Sequence, residues 1–109
     1  MENKGTQQAL GALDANETEQ QLQSLPLWQL DDERLTIQRA FTFSNFKQAF
    51  AFMTQVAEAA ELQNHHPEWR NVYNKVWLKW TTHDVKGLSM KDIQMAHLCD
   101  RLCLDHSPT

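Results

Sequence analysis

The run Leu35-Thr36-Ile37-Gln38-Arg39-Ala40-Phe41-Thr42-Phe43 decides the fold of this chain, because its apolar residues alternate with a period of two. Successive side chains of a strand point to opposite faces of its sheet, so this pattern predicts a strand with one buried face. Before it, Trp28-Gln29-Leu30 predicts a brief strand and residues 31–34 a polar turn, which together indicate a hairpin. The residues of the predicted buried face are Leu35, Ile37, Phe41 and Phe43.

A helical period begins directly after this strand. Ser44 is the predicted N-cap, and the predicted helix extends to about Leu62, with its apolar residues recurring at intervals of three and four. Pro67 disfavours the α conformation for His66, so we expect the helix to end before that point. An amphipathic helix that follows a hairpin is expected to pack on the buried face of the sheet.

A second pair of strands and a final helix follow. Val72-Tyr73 and residues 76–82 predict the strands, and the tryptophans of the longer run fall on opposite faces, with Trp80 facing the core and Trp77 facing away. Ser89-Met90-Lys91-Asp92 has the form of a capping box and opens a helix to about Leu104. Apolar residues surround much of this helix, which predicts burial by its own sheet and by another subunit.

A short first helix completes the fold prediction. Asp14 or Asn16 is its N-cap, and Pro26 stops it. The predicted order is α-β-β-α-β-β-α, an α+β fold in which three helices pack on one face of a four-stranded antiparallel sheet. We expect one domain over residues 14–106, a flexible N-terminal tail at 1–13 and a C-terminal tail at 107–109.

The composition is that of an ordinary globular protein, with 41% hydrophobic and 22% charged residues among 109. The net charge is −4 and no basic run occurs, so direct nucleic-acid binding is not expected. No apolar run approaches the roughly 20 residues that span a bilayer, and the first residues do not form a signal peptide, so we expect a cytoplasmic protein without membrane contact. Cys99 and Cys103 are expected to be reduced and buried.

Three of the five histidines cluster around two short motifs, residues 61–69 and Thr82-His83. Imidazole exchanges protons near neutral pH, so this concentration indicates proton-transfer chemistry. Zinc or iron is the alternative for three histidines and a carboxylate, but the adjacent His65 and His66 chelate poorly and no His-x-His or His-x-x-x-His pair occurs. No glycine-rich phosphate loop is present either, so we expect neither a metal nor a cofactor.

The motifs that carry these histidines resemble a known family. They are Asn64-His65-His66-Pro67-Glu68-Trp69, Asn71-Val72-Tyr73-Asn74-Lys75-Val76, Thr82-His83 and Gly87-Leu88-Ser89-x-x-Asp92-Ile93. In this order they resemble the pterin-4a-carbinolamine dehydratases, and the similarity extends from about Leu22 to Leu102. The resemblance implies dehydration of 4a-hydroxytetrahydropterin to quinonoid dihydropterin, which recycles the pterin cofactor of aromatic amino acid hydroxylases. It implies no metal and no redox cofactor.

The resemblance also implies roles for individual residues. His65 and His83 are the implied acid/base groups, and His66 is implied mainly in binding and orientation. The implied substrate-binding residues are Glu61, Asn64, Pro67, Trp69, Thr82, Asp84 and Asp92.

For three of these residues a second interpretation stays open. Glu61 either orients an imidazole or is a solvated residue at a helix end, and Trp69 either forms a wall for a planar heterocycle or seals the core. Asp92 is either a capping carboxylate or a residue near the site.

Two positions differ from animal members of the family. Asn64 stands where they have an aspartate, and Lys91 replaces an arginine, which keeps the charge but loses the planar fork. Animal members also act as dimerisation partners of a homeodomain transcription factor. An interaction role of this kind, on the outer surface of the last helix, is the alternative function. The expected assembly is a homodimer or a homotetramer.

Overall fold

The computed structural model of this chain describes residues 11–106, and within them the helices and strands follow the predicted order. Of the predicted tails, residues 1–10 and 107–109 lie outside the described residues. Among residues 11–106, no helix is long and apolar enough to cross a membrane. The elements are α1 (Ala15–Leu22), β1 (Gln29–Leu30), β2 (Ile37–Thr42), α2 (Phe46–Gln63), β3 (Glu68–Val72), β4 (Lys75–Trp80), a 3-10 turn (His83–Val85) and α3 (Met90–His106).

The four strands form one antiparallel sheet in the order β1-β2-β4-β3, which confirms the predicted α+β fold. The two long central strands pair with Phe41 opposite Val76 and Ile37 opposite Trp80. The predicted buried face is confirmed for Ile37, Phe41 and Phe43, and Val76, Leu78 and Trp80 of β4 are buried with them. The prediction was wrong for Leu35, which lies before β2 and is 40% exposed.

The helices cover that face and close the core. Phe52 of α2 packs against Phe41 with ring centroids 4.8 Å apart, and Ile93 and Cys99 of α3 are fully buried in the same cluster. Burying a side chain of this size contributes about 1.5–3 kcal/mol. Trp80 is fully buried, as predicted.

The start of α1 is the predicted one. Asp14 is its N-cap, and the capping box is complete because the Asp14 carboxylate accepts from the Glu17 amide at 2.7 Å while the Glu17 carboxylate accepts from the Asp14 amide at 2.9 Å. Leu13, just before this cap, donates its backbone N–H to the Leu88 carbonyl at 2.8 Å. The chain is thus attached to the core directly before α1.

The start of α2 differs from the prediction by one residue, whereas its end at Gln63 confirms the predicted end at about Leu62. Asn45 is the N-cap rather than Ser44, and its side-chain oxygen accepts from the Gln48 amide at 2.9 Å. Both residue types are good caps, so the sequence alone does not separate neighbours. At the other end Asn64 adopts the left-handed conformation, with φ 52° and ψ 44°, and stops the helix three residues before Pro67.

The prediction of β3 was also wrong in its bounds. The strand begins at Glu68, four residues before the predicted Val72, and Tyr73 belongs to the turn with φ 51°. β3 is an edge strand whose side chains are exposed on one face and only half-buried on the other. Its residues therefore lack the strong apolar alternation by which the other strands were identified.

The final helix α3 begins where the capping box predicted, at Met90. Its inward side is buried under the sheet and α2. Its exposed positions are mostly polar: Lys91, Gln94, Arg101, Leu104 and Asp105. Burial of this helix by another subunit stays a prediction.

Candidate active site

All three histidines of the two motifs line one cleft of about 390 Å³. The left-handed turn at the end of α2 brings residues 64–67 to one wall, the chain leaving β4 supplies residues 81–84, and the start of α3 supplies Lys91. The residues that line the cleft are Asn64, His65, His66, Pro67, Glu68, Thr81, Thr82, His83, Asp84 and Lys91.

His65 is the buried histidine of the cleft, with 8% of its surface exposed. Its Nε2 lies 2.6 Å from Oδ1 of Asp92, and its ring stacks on the indole of Trp80 with centroids 5.5 Å apart and an interplanar angle of 12°. Its backbone N–H donates to the Ala60 carbonyl at 3.0 Å, so main chain and ring are both fixed. The ring can therefore meet a ligand in only one orientation.

Asp92 connects this imidazole to the start of α3. Its carboxylate is fully buried, and Oδ2 accepts from the Thr82 hydroxyl at 2.6 Å and from the Ser89 amide at 2.9 Å. The bond from the Ser89 amide is the capping interaction that the sequence predicted, and the contact with His65 places the same residue beside the cleft. Both interpretations of Asp92 describe this one side chain.

His66 faces solvent and pairs with Glu61. Its Nε2 lies 2.6 Å from Oε2 of Glu61, while 54% of the His66 side chain stays exposed. Exposed ion pairs contribute only about 0–1 kcal/mol, so this contact orients the ring more than it stabilises the fold. Both interpretations of Glu61 apply to this side chain, because it lies in the last turn of α2 with 79% of its side chain exposed and also contacts an imidazole.

His83 opens the 3-10 turn and is exposed on the opposite wall. Its carbonyl accepts from the Lys86 amide at 3.0 Å, but its ring takes part in none of the hydrogen bonds among residues 11–106. Both ring nitrogens can therefore interact with a ligand. The cleft thus combines two histidines held by carboxylates with one that is not.

Two predicted site residues have a different position or contact from the expected one. Trp69 does not line the cleft, because it lies in β3 opposite Leu78 and packs against the core. Its second interpretation, a tryptophan that seals the core, describes it better. Asn64 lines the cleft, but among residues 11–106 its amide makes no hydrogen bond to an imidazole, and its backbone caps α2.

Three residues of the cleft were missed from the sequence: Glu68, Thr81 and Lys91. Glu68 and Thr81 directly adjoin predicted site residues in the sequence. Correct bounds for β3 and β4 would have identified them, since Glu68 begins β3 and Thr81 follows β4. Lys91 precedes Asp92 on the first turn of α3 and brings a cation to a cleft that also contains Asp84 and Glu68. A ligand there meets charges of both signs.

Within residues 11–106, no three His, Cys, Asp or Glu side chains converge in a way that could hold a metal ion. Cys99 and Cys103 are free thiols, buried as predicted, and do not line the cleft. Burial raises the pKa of Cys99 to about 12 and also raises that of Cys103. Neither thiol is a ready nucleophile at neutral pH.

The fold and the cleft define a small α+β protein with a histidine–carboxylate site suited to acid/base chemistry. Comparison with known families makes this specific: the family model for pterin 4 alpha carbinolamine dehydratase matches residues 11–102. The chain belongs to this family of hydro-lyases, and the resemblance of its motifs is confirmed.

Individual relatives agree with this assignment. Proteins of Burkholderia vietnamiensis and Rhizorhabdus wittichii, each named "Putative pterin-4-alpha-carbinolamine dehydratase", are 45% identical over 96 residues and 53% identical over 81 residues. The first alignment covers 88% of this chain and 94% of the relative, the second 74% and 84%. A crystal structure of a transcriptional coactivator/pterin dehydratase from Brucella melitensis superimposes with a TM-score of 0.83 at 40% identity, over 85% of this chain and 99% of that one.

Proposed function

We propose that this chain dehydrates 4a-hydroxytetrahydropterin to quinonoid dihydropterin and so recycles the pterin of an aromatic amino acid hydroxylase. The observation that supports this most directly is the convergence of His65, His66 and His83 on one cleft in a member of the dehydratase family. A cleft of about 390 Å³ is within the size range of small-molecule sites.

The reaction needs one proton delivered and one removed. The bond between C4a and its hydroxyl oxygen breaks, and an acid protonates that oxygen so that it leaves as water. A base removes the proton from the neighbouring ring nitrogen, and the electron pair of that N–H bond forms the C=N double bond. No electrons leave the substrate, and positioned histidines suit both proton transfers near neutral pH.

The surroundings of the histidines suggest how these two tasks are divided. His65, backed by the Asp92 carboxylate, is the proposed base, because a buried carboxylate orients an imidazole and stabilises the imidazolium that forms. His83, whose ring makes no hydrogen bond within residues 11–106, is the proposed acid that approaches the leaving oxygen. His66, oriented by Glu61, is proposed to hold the heterocycle.

The remaining proposed contacts come from the walls of the cleft. Asn64, Pro67 and Asp84 line it and are proposed to contact the substrate. Thr82 and Asp92 belong to the hydrogen-bond network behind His65. Trp69 is left out of the set because its ring packs on the core instead.

The test is an activity assay with matched variants. The carbinolamine is generated with a pterin-dependent hydroxylase, and its decay is followed by ultraviolet absorbance. We expect wild type to accelerate the decay, His65→Gln and His83→Ala to lower kcat by at least about 100-fold, in line with general acid/base contributions, and His66→Ala mainly to raise KM. His65→Gln keeps an N–H donor for Asp92 while removing the titrating ring.

His97→Ala is the control, because His97 lies on α3 outside the cleft and its ring contacts only Ser24, at 3.3 Å, among the hydrogen bonds of residues 11–106. It should leave kcat and KM unchanged. No acceleration by wild type over the spontaneous decay would refute the dehydratase proposal. That result would favour the alternative of a protein-interaction role, since the Brucella relative is described as a coactivator as well as a dehydratase.

A further inference from the structure

We propose that Thr82 and Ser89 are positioning residues that act through Asp92 to fix the tautomer of His65. They form a buried chain of hydrogen bonds that ends at this carboxylate, and the direction of each bond follows from the donors available. The hydrogen bonds do not depend on the proposed reaction, whereas their effect on rate rests on that proposed function.

The carboxylate of Asp92 sets the direction. An ionised carboxylate only accepts hydrogen bonds, and this one has three partners: the Thr82 hydroxyl at 2.6 Å, the Ser89 amide at 2.9 Å and Nε2 of His65 at 2.6 Å. Because all three must donate, the single proton of the Thr82 hydroxyl is used on Asp92.

The next two bonds follow from this one. The Thr82 and Ser89 hydroxyl oxygens lie 2.7 Å apart, and since Thr82 has no second proton, Ser89 is the donor. The Ser89 oxygen in turn accepts from the backbone N–H of Lys91 at 3.3 Å. Every proton in the chain thus has one assigned acceptor, and both hydroxyl residues are buried away from competing water.

These hydrogen bonds determine which ring nitrogen of His65 carries a proton. Its Nε2 carries a proton in both charge states, so Nδ1 is the only nitrogen that can take a proton from a substrate. The family resemblance implied that Thr82 binds substrate, but in the structure its hydroxyl donates its only proton to Asp92. Thr82 therefore serves the reaction through His65 and not as a hydrogen-bond donor to the pterin.

The decisive measurement is ¹⁵N NMR of the imidazoles, which distinguishes an Nε2–H ring from an Nδ1–H ring without substrate. For wild type we expect His65 as a single Nε2–H tautomer. In Thr82→Val, which keeps the shape but removes the hydroxyl, Asp92 is less firmly held and the Nδ1–H form should become detectable. Its kcat should fall about 10–100-fold, the range found when outer hydrogen-bond partners of histidine metal ligands are removed, with KM within about twofold.

Two further variants separate positioning from folding. Thr82→Ser restores the hydroxyl and should recover both the single tautomer and most of kcat. Thr18→Val is the matched control, because Thr18 is also a buried threonine, but its hydroxyl donates to the Asp14 carbonyl at 2.8 Å, away from the cleft. It should change neither signal.

The proposal is overturned if wild-type His65 is the Nδ1–H tautomer, if Thr82→Val keeps either the single Nε2–H form or the wild-type kcat, or if Thr82→Ser fails to restore them. A wild-type protein without dehydratase activity would instead refute the proposed function. In that case the tautomer of His65 would still decide whether the hydrogen-bond chain exists.

Discussion

At the scale of single residues, Asp92 connects three segments that lie three, ten and 27 residues before it in the sequence. It caps α3 through the Ser89 amide, receives the Thr82 hydroxyl from the chain after β4 and contacts His65 beyond the end of α2. A carboxylate accepts all three bonds at once, whereas an amide of the same size must turn an NH₂ group toward one of these donors.

Asp92→Asn should therefore affect both stability and rate. A buried donor left unpaired costs about 1–3 kcal/mol, which urea unfolding monitored by tryptophan fluorescence can measure. Because the wrong tautomer of a working histidine costs a serine protease about 10⁴-fold in kcat, we expect a loss here of at least 100-fold. Asp105→Asn, at an exposed position of the same helix, should leave both quantities unchanged. An Asp92→Asn protein with wild-type stability would contradict the hydrogen-bond assignment.

The Cys99 thiol gives a prediction of pH dependence. Burial raises the pKa of this thiol from 9.0 to about 12, so between these values the unfolded chain has lost this proton while the folded protein keeps it. The free energy of unfolding should fall as pH rises through this window. At neutral pH it should not depend on ionisation of this thiol, because both states then keep the proton. Urea unfolding of wild type and Cys99→Ser between pH 8 and 11 checks this, since the variant should lose less stability on the alkaline side.

Thiol labelling separates the two cysteines. At pH 8 a disulfide reagent should react with Cys99 only as fast as the protein unfolds, because the thiol is fully buried and protonated. Cys103→Ser leaves Cys99 as the only cysteine of the chain, so its rate is read directly. Rapid labelling of that variant under native conditions would show that the site opens.

At the scale of elements, the two ends of α2 are set by asparagines in different conformations. Asn45 is extended, with φ −162° and ψ 179°, and caps with its side chain, whereas Asn64 is left-handed and caps with its backbone N–H. The first end fixes where the helix begins on the sheet. The second directs the chain into the cleft, so His65 and His66 depend on it for their position.

Asn45→Ala should destabilise the protein by about 1 kcal/mol, because the Gln48 amide loses its acceptor. Ser44→Ala is the matched comparison and should change stability by less than about 0.5 kcal/mol, since Ser44 is exposed and lies before the cap. Thermal unfolding of both variants measures the difference. If Ser44→Ala lowered the stability more than Asn45→Ala, Ser44 would be the N-cap.

Asn64 can be tested by separating its backbone from its side chain. Asn64→Gly tolerates the left-handed conformation and should keep stability, while Asn64→Ala should lose about 1–2 kcal/mol. If the Asn64 amide contacts the substrate, as proposed, the glycine variant should fold normally and show a raised KM in the carbinolamine assay. An unchanged KM would limit Asn64 to the helix cap.

At the scale of the whole molecule, the sequence predicted the elements whose signal is local and missed what depends on the sheet as a whole. Ile37, Phe41, Val76 and Leu78 alternate because one side of each central strand is buried, and this was readable. Glu68 and Trp69 lie in an edge strand, where the partner β4 and not the apolar pattern defines the strand. For this reason the predicted strand began only at Val72 and did not include Trp69.

In the candidate site, too, local features were predicted from the sequence and long-range ones were not. The motifs place the histidines near the end of α2 and after β4, but the strand order β1-β2-β4-β3 is what brings the two segments together. The partner of His65 is long-range as well, since Asp92 is 27 residues away, whereas Glu61 is only five residues from His66. Sequence motifs therefore identified most residues of the cleft, including its three histidines, and the contact between Asp92 and His65 was seen only in the structure.

A second surface for the predicted self-association, besides the outer side of α3, is an exposed aromatic pair on α2. Phe46 and Phe50 stack on each other with ring centroids 5.6 Å apart, yet are 46% and 54% exposed in the single chain. Burying apolar surface yields about 25 cal/mol per Å², so an assembly in which a second copy covers this pair would be stabilised.

Light scattering should give a mass that is a multiple of 12.7 kDa for wild type and a smaller mass for Phe50→Glu. Lys47→Glu places a carboxylate three residues away, at an exposed position of α2, and should keep the wild-type mass. A monomeric wild type would refute the predicted assembly, and an unchanged mass for Phe50→Glu would move the interface to another surface.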